Sequence, residues 1–278
     1  MAVNLSSYIT QVQRLLHDVS GNFWTTAQLT DYINEARART VSDTGCLRFN
    51  QVPIFQPMTE AYSYGGVTGV NVSTPGSGYT NGTYNLVISG GGGTGATGTY
   101  TVANNVVATA TIVNQGAGYT STPTVAFPSG GGTLAAGQVG YINANTLDIL
   151  SVTIIWGNFR IPLNYMPFTE LTSKLRMWTT WQQRPAAFSV FGQQTLYVGP
   201  LPDQIYVSEM DSVLLPNILI DNTTVEQIAY PFTAPVAYYA ARLAKIQEQS
   251  YAEAEMFFNM YKKRALDSIA STFTRRLP

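Results

Sequence analysis

Apolar residues in the first fifty positions recur with a helical period. In SSYITQVQRLLHDVS, Tyr8, Ile9, Val12, Leu15 and Leu16 fall on one face. In NFWTTAQLTDYINEARARTVSDTG, Thr25 and Gln28 have the spacing of a capping box. Leu29, Tyr32, Ile33, Ala36 and Val41 then form an apolar stripe, and Gly45 supplies a stop. The short SGNF link predicts an antiparallel helix pair. The period returns near the C-terminus. Pro235 suits a first helical turn, and Val236, Tyr239, Ala240, Leu243 and Ile246 line one face. Ser250 and Glu253 make a second capping box, followed by Ala254, Phe257, Phe258, Tyr261 and Leu266. Two helices broken near Ser250 fit this pattern, and so does one long helix.

Between the helical ends the period falls to two. TLDILSVTIIWGNFRIPLNYMP predicts a hairpin about Gly157–Asn158, and AAFSVFGQQTLYVGPLP a second near Gly192. DQIYVSEMDSVLLP reads as a further strand, and FTELTSKLRMWTTWQQRP as an irregular helix or loop. The expected fold class is α+β. An α-helical bundle of N- and C-terminal helix pairs would carry a central antiparallel β-segment and an inserted all-β domain. The expected divisions are a helical part (1–60), the insert (61–147), the β-segment (148–230), C-terminal helices (231–272) and a tail (273–278).

Charge marks out the insert. The 87 residues from Ala61 to Leu147 contain no Asp, Glu, Lys, Arg or His, yet hold 19 of the 24 glycines. VTGVNVSTPGSGYT (67–80) matches VATATIVNQGAGYT (107–120) at an offset of 40. Downstream, LVISGGGGTGA answers VAFPSGGGTLA with a one-residue slip, giving copies of about 67–106 and 107–140. Alternating Val70 and Val72, Leu86 and Ile88, Ala110 and Ile112, and Val125 and Phe127 predict short strands joined by glycine turns. A compact β-domain of two related halves accounts for this. Disorder is the competing reading, opposed by the alternation and the tyrosines.

Charged residues make up 11% of the chain, against about 25% in ordinary domains. The net charge of −1, with no block of like charge, argues against a dedicated nucleic-acid binder. No run of 18 apolar residues is present to span a membrane. Cys46 is the single cysteine and His17 the single histidine, so metal sites built on several such ligands are excluded by count. Gly93, Gly95 and Gly98 spell G-x-G-x-x-G. The dinucleotide-binding mechanism also needs a following helix and an acid about 20 residues on. The next residues are TYTVANNVVATATIV, and the next acid is Asp148. A glycine turn in a β-repeat is the better reading, and no cofactor is expected. Asp148, Glu170, Asp203, Glu209 and Asp211 stay open as carboxylates that pair in space, though salt bridges and turn caps explain them more simply. No enzyme is expected.

Taken together, LTDYINEARART, RIPLNYMPFTEL, QRPAAFSVFGQQTLYVGPLPD and the late helical stretch APVAYYAARLAKIQEQSYAEAEMFFNMYKKRALDSI resemble a known family. They are similar to the head-to-tail adaptor, or connector, proteins of tailed bacteriophages, especially short-tailed ones. The resemblance covers residues 1–60 and 148–278. It implies a virion structural protein, assembled in the host cytoplasm as a dodecameric ring beneath the portal. The ring would receive the downstream tail or nozzle protein and let DNA pass its lumen without specific binding. The C-terminal segment of the family commonly reaches the portal, which makes Phe273, Arg275, Arg276 and Leu277 portal-contact candidates. The insert departs from the minimal family pattern. Its turn residues Tyr79 and Tyr119 are contact candidates for tail fibres or capsid, with packing on their own strands as the plainer role. The alternative is a carbohydrate- or receptor-binding tail protein that uses the β-module.

Overall fold

A computed structural model describes residues 3–192 and 194–274, the side chains of Phe273 and Thr274 apart. Its helices are α1 (Leu5–Leu15), α2 (Thr26–Thr44), α3 (Phe168–Lys174), α4 (Val236–Gln247) and α5 (Tyr251–Thr274). The first strands are β1 (Arg48–Gln51), β2 (Ile54–Phe55), β3 (Ala61–Ser63), β4 (Val67–Ser77), β5 (Gly82–Asn85) and β6 (Val87–Ser89). Then come β7 (Thr94–Ala103), β8 (Val106–Ala117), β9 (Thr124–Ala126), β10 (Thr133–Tyr141) and β11 (Thr146–Trp156). The last are β12 (Phe159–Pro162), β13 (Asn164–Tyr165), β14 (Ala187–Phe191), β15 (Thr195–Gly199) and β16 (Tyr206–Leu214). By compactness the chain forms two units, one of residues 1–48 with 213–278 and one of residues 49–212.

The expected class, an α-helical bundle of terminal helix pairs bearing β-insertions, does not hold. Strands make up 37% of the chain, and the helices form no terminal bundle; the fold is mixed α+β with several sheets. The reason lies in α4, which contacts α1, α2 and α5 alike, so the helices do not sort by terminus. Their common core also takes Leu219 from the coil that precedes α4.

Local signals in the helical unit act as their chemistry dictates. Thr25 and Gln28 close a reciprocal capping box on α2, and Gly45 ends that helix at φ 60°. The Asp18 carboxylate accepts the backbone N–H groups of Asn22, Phe23 and Trp24, which fixes the α1–α2 link and holds its pKa down. Gln249 takes φ 60° between α4 and α5, so the C-terminal pattern resolves into two helices.

In the β-rich unit, β11 and β12 pair about Gly157, and β14 and β15 about Gly192. Both glycines have positive φ, at 59° and 63°. One sheet runs in the order β1-β16-β11-β12, with β2 also on β16, and another in the order β13-β14-β15-β3. Phe55, Tyr62, Ile142, Val152, Ile154 and Phe188 are among the residues of their shared core.

The glycine-rich module has a core of its own, and its two copies are interlocked. β4 pairs with β10, and β8 with β7, so the first strand of each copy pairs with the last strand of the other. Val70 faces Val139, and the counterparts Ala110 and Tyr100 face each other. Val72 faces Gly137, and Ile112 faces Gly98. The two ladders even slip at matching places, after Ala136 and Gly140 in one, after Thr97 and Thr101 in the other. In the β6–β9 pair, Val87 lies opposite Ala126, its own counterpart in the repeat. An approximate two-fold axis therefore passes between them, and neither copy encloses the core alone.

This exchange explains the glycines. A Cβ on Gly93 would lie 2.5 Å from the Tyr119 ring, and one on Gly132 would lie 2.1 Å from the Tyr79 ring. Each copy's turn tyrosine thus lies on the glycine turn of the other. Thr80 N–H donates to the Gly130 carbonyl at 2.7 Å and Thr120 N–H to that of Gly91 at 2.9 Å, the same contact in both halves. Strand β7 runs through Gly95 and Gly98, and a Cβ on Gly98 would meet the Thr111 carbonyl oxygen at 2.5 Å.

Gly93→Ala and Gly132→Ala should each destabilise the protein by about 1–3 kcal/mol, since each forces a methyl into a filled contact. Denaturant midpoints measure both. A clear cost at one site and none at the other would break the claimed equivalence of the halves.

Candidate functional site

The residues singled out from sequence fall in different places. Tyr79 and Tyr119 are 3% and 2% exposed, their rings enclosed by the module. Phe273 lies in the last turn of α5. Its side chain, and Arg275, Arg276 and Leu277, lie outside the described residues. His17 follows α1 with φ 57°. Burial pushes the Cys46 thiol pKa up, which keeps it protonated and a poor nucleophile. Among the described residues no three His, Cys, Asp or Glu side chains gather as metal ligands.

What sequence reasoning missed is the coil of residues 215–235, between β16 and α4. It has no helix or strand to satisfy its backbone, and side chains do that work instead. Asn34 on α2 acts as a ladder rung: its Nδ2 donates to the Leu219 carbonyl at 3.0 Å, and its Oδ1 accepts from Leu219 N–H at 2.8 Å. Arg37, one turn further along α2, donates through Nη1 to the Asn217 carbonyl at 2.7 Å. Its Nε and Nη2 donate to both oxygens of Glu226 at 2.9 and 2.8 Å. Ser6 N–H of α1 donates to Asn222 Oδ1 at 2.8 Å. Asp221 Oδ1 accepts from the backbone and hydroxyl groups of Thr223 and Thr224.

The Arg37–Glu226 pair is fully desolvated, with side-chain exposures of 0% and 5%. A charge so placed is tolerable only when paired and hydrogen-bonded, and this one is bidentate. Tyr8 lies beside it. Burial, helped by the Glu226 carboxylate, drives the Tyr8 phenol pKa far above its usual value, so the hydroxyl stays neutral.

The coil is thereby held in one shape while its outward apolar residues stay bare. Leu219 and Ile228 are buried, but Ile218, Ile220, Val225 and Tyr230 are 68–82% exposed. Ordered, exposed aliphatic and aromatic side chains held by a buried polar frame make a surface suited to protein contact. Beside it, a cavity of about 670 Å³ opens between α1, α4 and α5. Its lining includes Leu15, Ala234, Ala237 and Tyr238, with Arg14 and Arg264 also on its wall. The sequence does carry NILIDNTTVEQIAYP, with its apolar alternation and polar turn. No local signal couples Glu226 to an arginine on a helix 189 residues earlier.

Neutralising one member should be costly. Glu226→Gln leaves the buried guanidinium with half its partner, and Arg37→Met leaves a buried carboxylate; each should destabilise by about 3–5 kcal/mol. The double variant Arg37→Met with Glu226→Leu should regain most of that loss. Chemical denaturation followed by tryptophan fluorescence, with buried Trp24 in the same core, tests this. A single-site cost below about 1 kcal/mol would show that the pair does not hold the coil.

Compared with known families, the chain matches the one described as SU10 adaptor protein over residues 3–277. No curated protein matches it.

Proposed function

The chain belongs to the SU10 adaptor protein family, a family of phage structural adaptors, and from that premise we propose that it forms a ring joining the portal vertex to the tail. The observation that carries this reading is the coil of residues 215–235. Its large apolar side chains are exposed on a backbone held by side-chain hydrogen bonds and a buried ion pair. A monomer gains nothing from that arrangement; an obligate assembly buries it.

Charge supports the rest of the proposal. At 11% charged residues and a net charge of −1, the chain offers little to hold phosphates. A channel wall that bound DNA would add salt-dependent affinity at each contact and slow its passage. The lumen of the ring is the DNA exit channel in this reading, and assembly takes place in the host cytoplasm. The C-terminal segment with Phe273, Arg275, Arg276 and Leu277 reaches the portal, and the opposite surface receives the downstream tail protein. The module of residues 61–147 contacts tail fibres or capsid through the turns that Tyr79 and Tyr119 brace.

Electron microscopy of the chain mixed with the portal protein of its phage should show a ring on the portal. Bare portals beside free monomer would refute the proposal. Removal of residues 273–278 should abolish attachment to the portal; unchanged attachment assigns the contact elsewhere on the chain.

A further inference from the structure

We infer that neighbouring copies join by seating Ile220 and Asp221 of one copy in the cavity between α1, α4 and α5 of the next. The inference rests on the ring reading and names its contact.

Two surfaces of the helical unit complement each other. The first is a projection. Ile220 is 79% exposed, and the adjoining Asp221 carboxylate is exposed too. Thr223 and Thr224 bind its Oδ1, which fixes its direction, and no cation pairs with it among the described residues. The second is the cavity of about 670 Å³, with Leu15, Ala234, Ala237 and Tyr238 as apolar lining. Arg14 and Arg264, both exposed, also line it. Neither has an ion-pair partner among the described residues. Several cations of this unit are engaged: Arg37 on Glu226, Arg39 on Asp43, Lys245 on Glu248 and Glu253, and Arg242 and Lys262 over the Phe258 ring. An aliphatic side chain followed by a carboxylate is what an apolar hollow flanked by two free guanidinium groups would take.

The surfaces adjoin through Val3, Tyr230 and Thr233, but the arginine end of the cavity lies away from the projection. Ile220 lines a hollow with Leu5, at the start of α1. Arg14 is nine residues along that helix, about 14 Å by helical rise. A projection that fits a recess elsewhere on the same chain makes a head-to-tail contact. Such contacts generate rings when the rotation closes, whereas a two-fold contact stops at a dimer. A second copy is therefore the occupant that both the charges and the geometry favour.

Charge reversal tests the contact in full-length protein mixed with its portal. Asp221→Arg alone, and Arg14→Glu with Arg264→Glu alone, should each weaken ring formation by about tenfold or more, through like charges brought together. Arg14 and Arg264 are exposed, so the thermal midpoint of the cavity variant should not move; Asp221→Arg also loses the hydrogen bonds from Thr223 and Thr224, so its rings are compared with wild type well below its own midpoint. An equimolar mixture of the two variants should form rings again, because each projection then meets a recess of opposite charge. Native mass spectrometry and electron microscopy read both results. Wild-type rings with undiminished rings in both variants would overturn the contact and leave the ring reading standing. Loss in each variant without rescue in the mixture would overturn it too. If the cavity variant keeps its rings but leaves the portal, the occupant is the portal and not a second copy. If the wild type forms no ring, or only a closed dimer, the ring reading falls and the contact with it.

Discussion

A guanidinium with no exposed surface must be neutralised where it stands, and Arg37 is neutralised by Glu226 across 189 residues of chain. The pair fixes more than itself. Arg37 also holds the Asn217 carbonyl, Asn34 holds both backbone groups of Leu219, and Glu226 accepts from Ile228 N–H. A coil of that length would otherwise lose its order, because water would serve its backbone as well as protein does. The pair is a poor source of net stability, since its desolvation offsets much of its attraction. Its value is in shape: it sets the one path along which Ile218, Ile220, Val225 and Tyr230 stay exposed.

The module solves a different problem, that of building a core from a segment with no charge and 19 of the chain's 24 glycines. Its answer is exchange of strands between two copies. Each ladder needs a strand from each copy, and each tyrosine needs the other copy's glycine turn. The two-fold relation breaks where the module meets the rest of its unit. Gly69 and Gly140 face each other there, and a Cβ on either would strike the Ile54 backbone, at 2.6 and 2.2 Å. The counterpart positions are Thr109 and Thr101, whose exposed hydroxyls bond to one another at 2.5 Å. Glycine at one pair and threonine at the other separates the attached face from the free one.

What was legible in the sequence follows the range of the interaction. The capping box of Thr25 and Gln28, the stop at Gly45 and the turns at Gly157 and Gly192 are local, and all appear in the structure. The fold class failed because it depends on which elements meet. Period alone showed helices at both ends, but not that α4 touches three others while a coil enters their core. The strand exchange was hidden for the same reason: a repeat shows that two segments are alike, not which of them pair. At the candidate surface, NILIDNTTVEQIAYP shows apolar residues and a polar turn, but nothing local in it marks Glu226 as the partner of Arg37.

The division between legible and hidden bears on how the surface works. Local signals make helices and turns that would form in many contexts. The coil forms in only one, because its hydrogen-bond partners are side chains from α1 and α2. Its order is therefore a readout of the folded helical unit: if α2 unfolds, Asn34 and Arg37 leave, and the exposed apolar residues lose their fixed positions. The unfolded polypeptide carries the same isoleucines, but not as a set. An ordered apolar surface made of coil rather than helix or strand also exposes no unpaired ladder edge, the feature that drives unwanted sheet-to-sheet association. The shape of the exposed apolar set is thus tied to the native state by the buried ion pair.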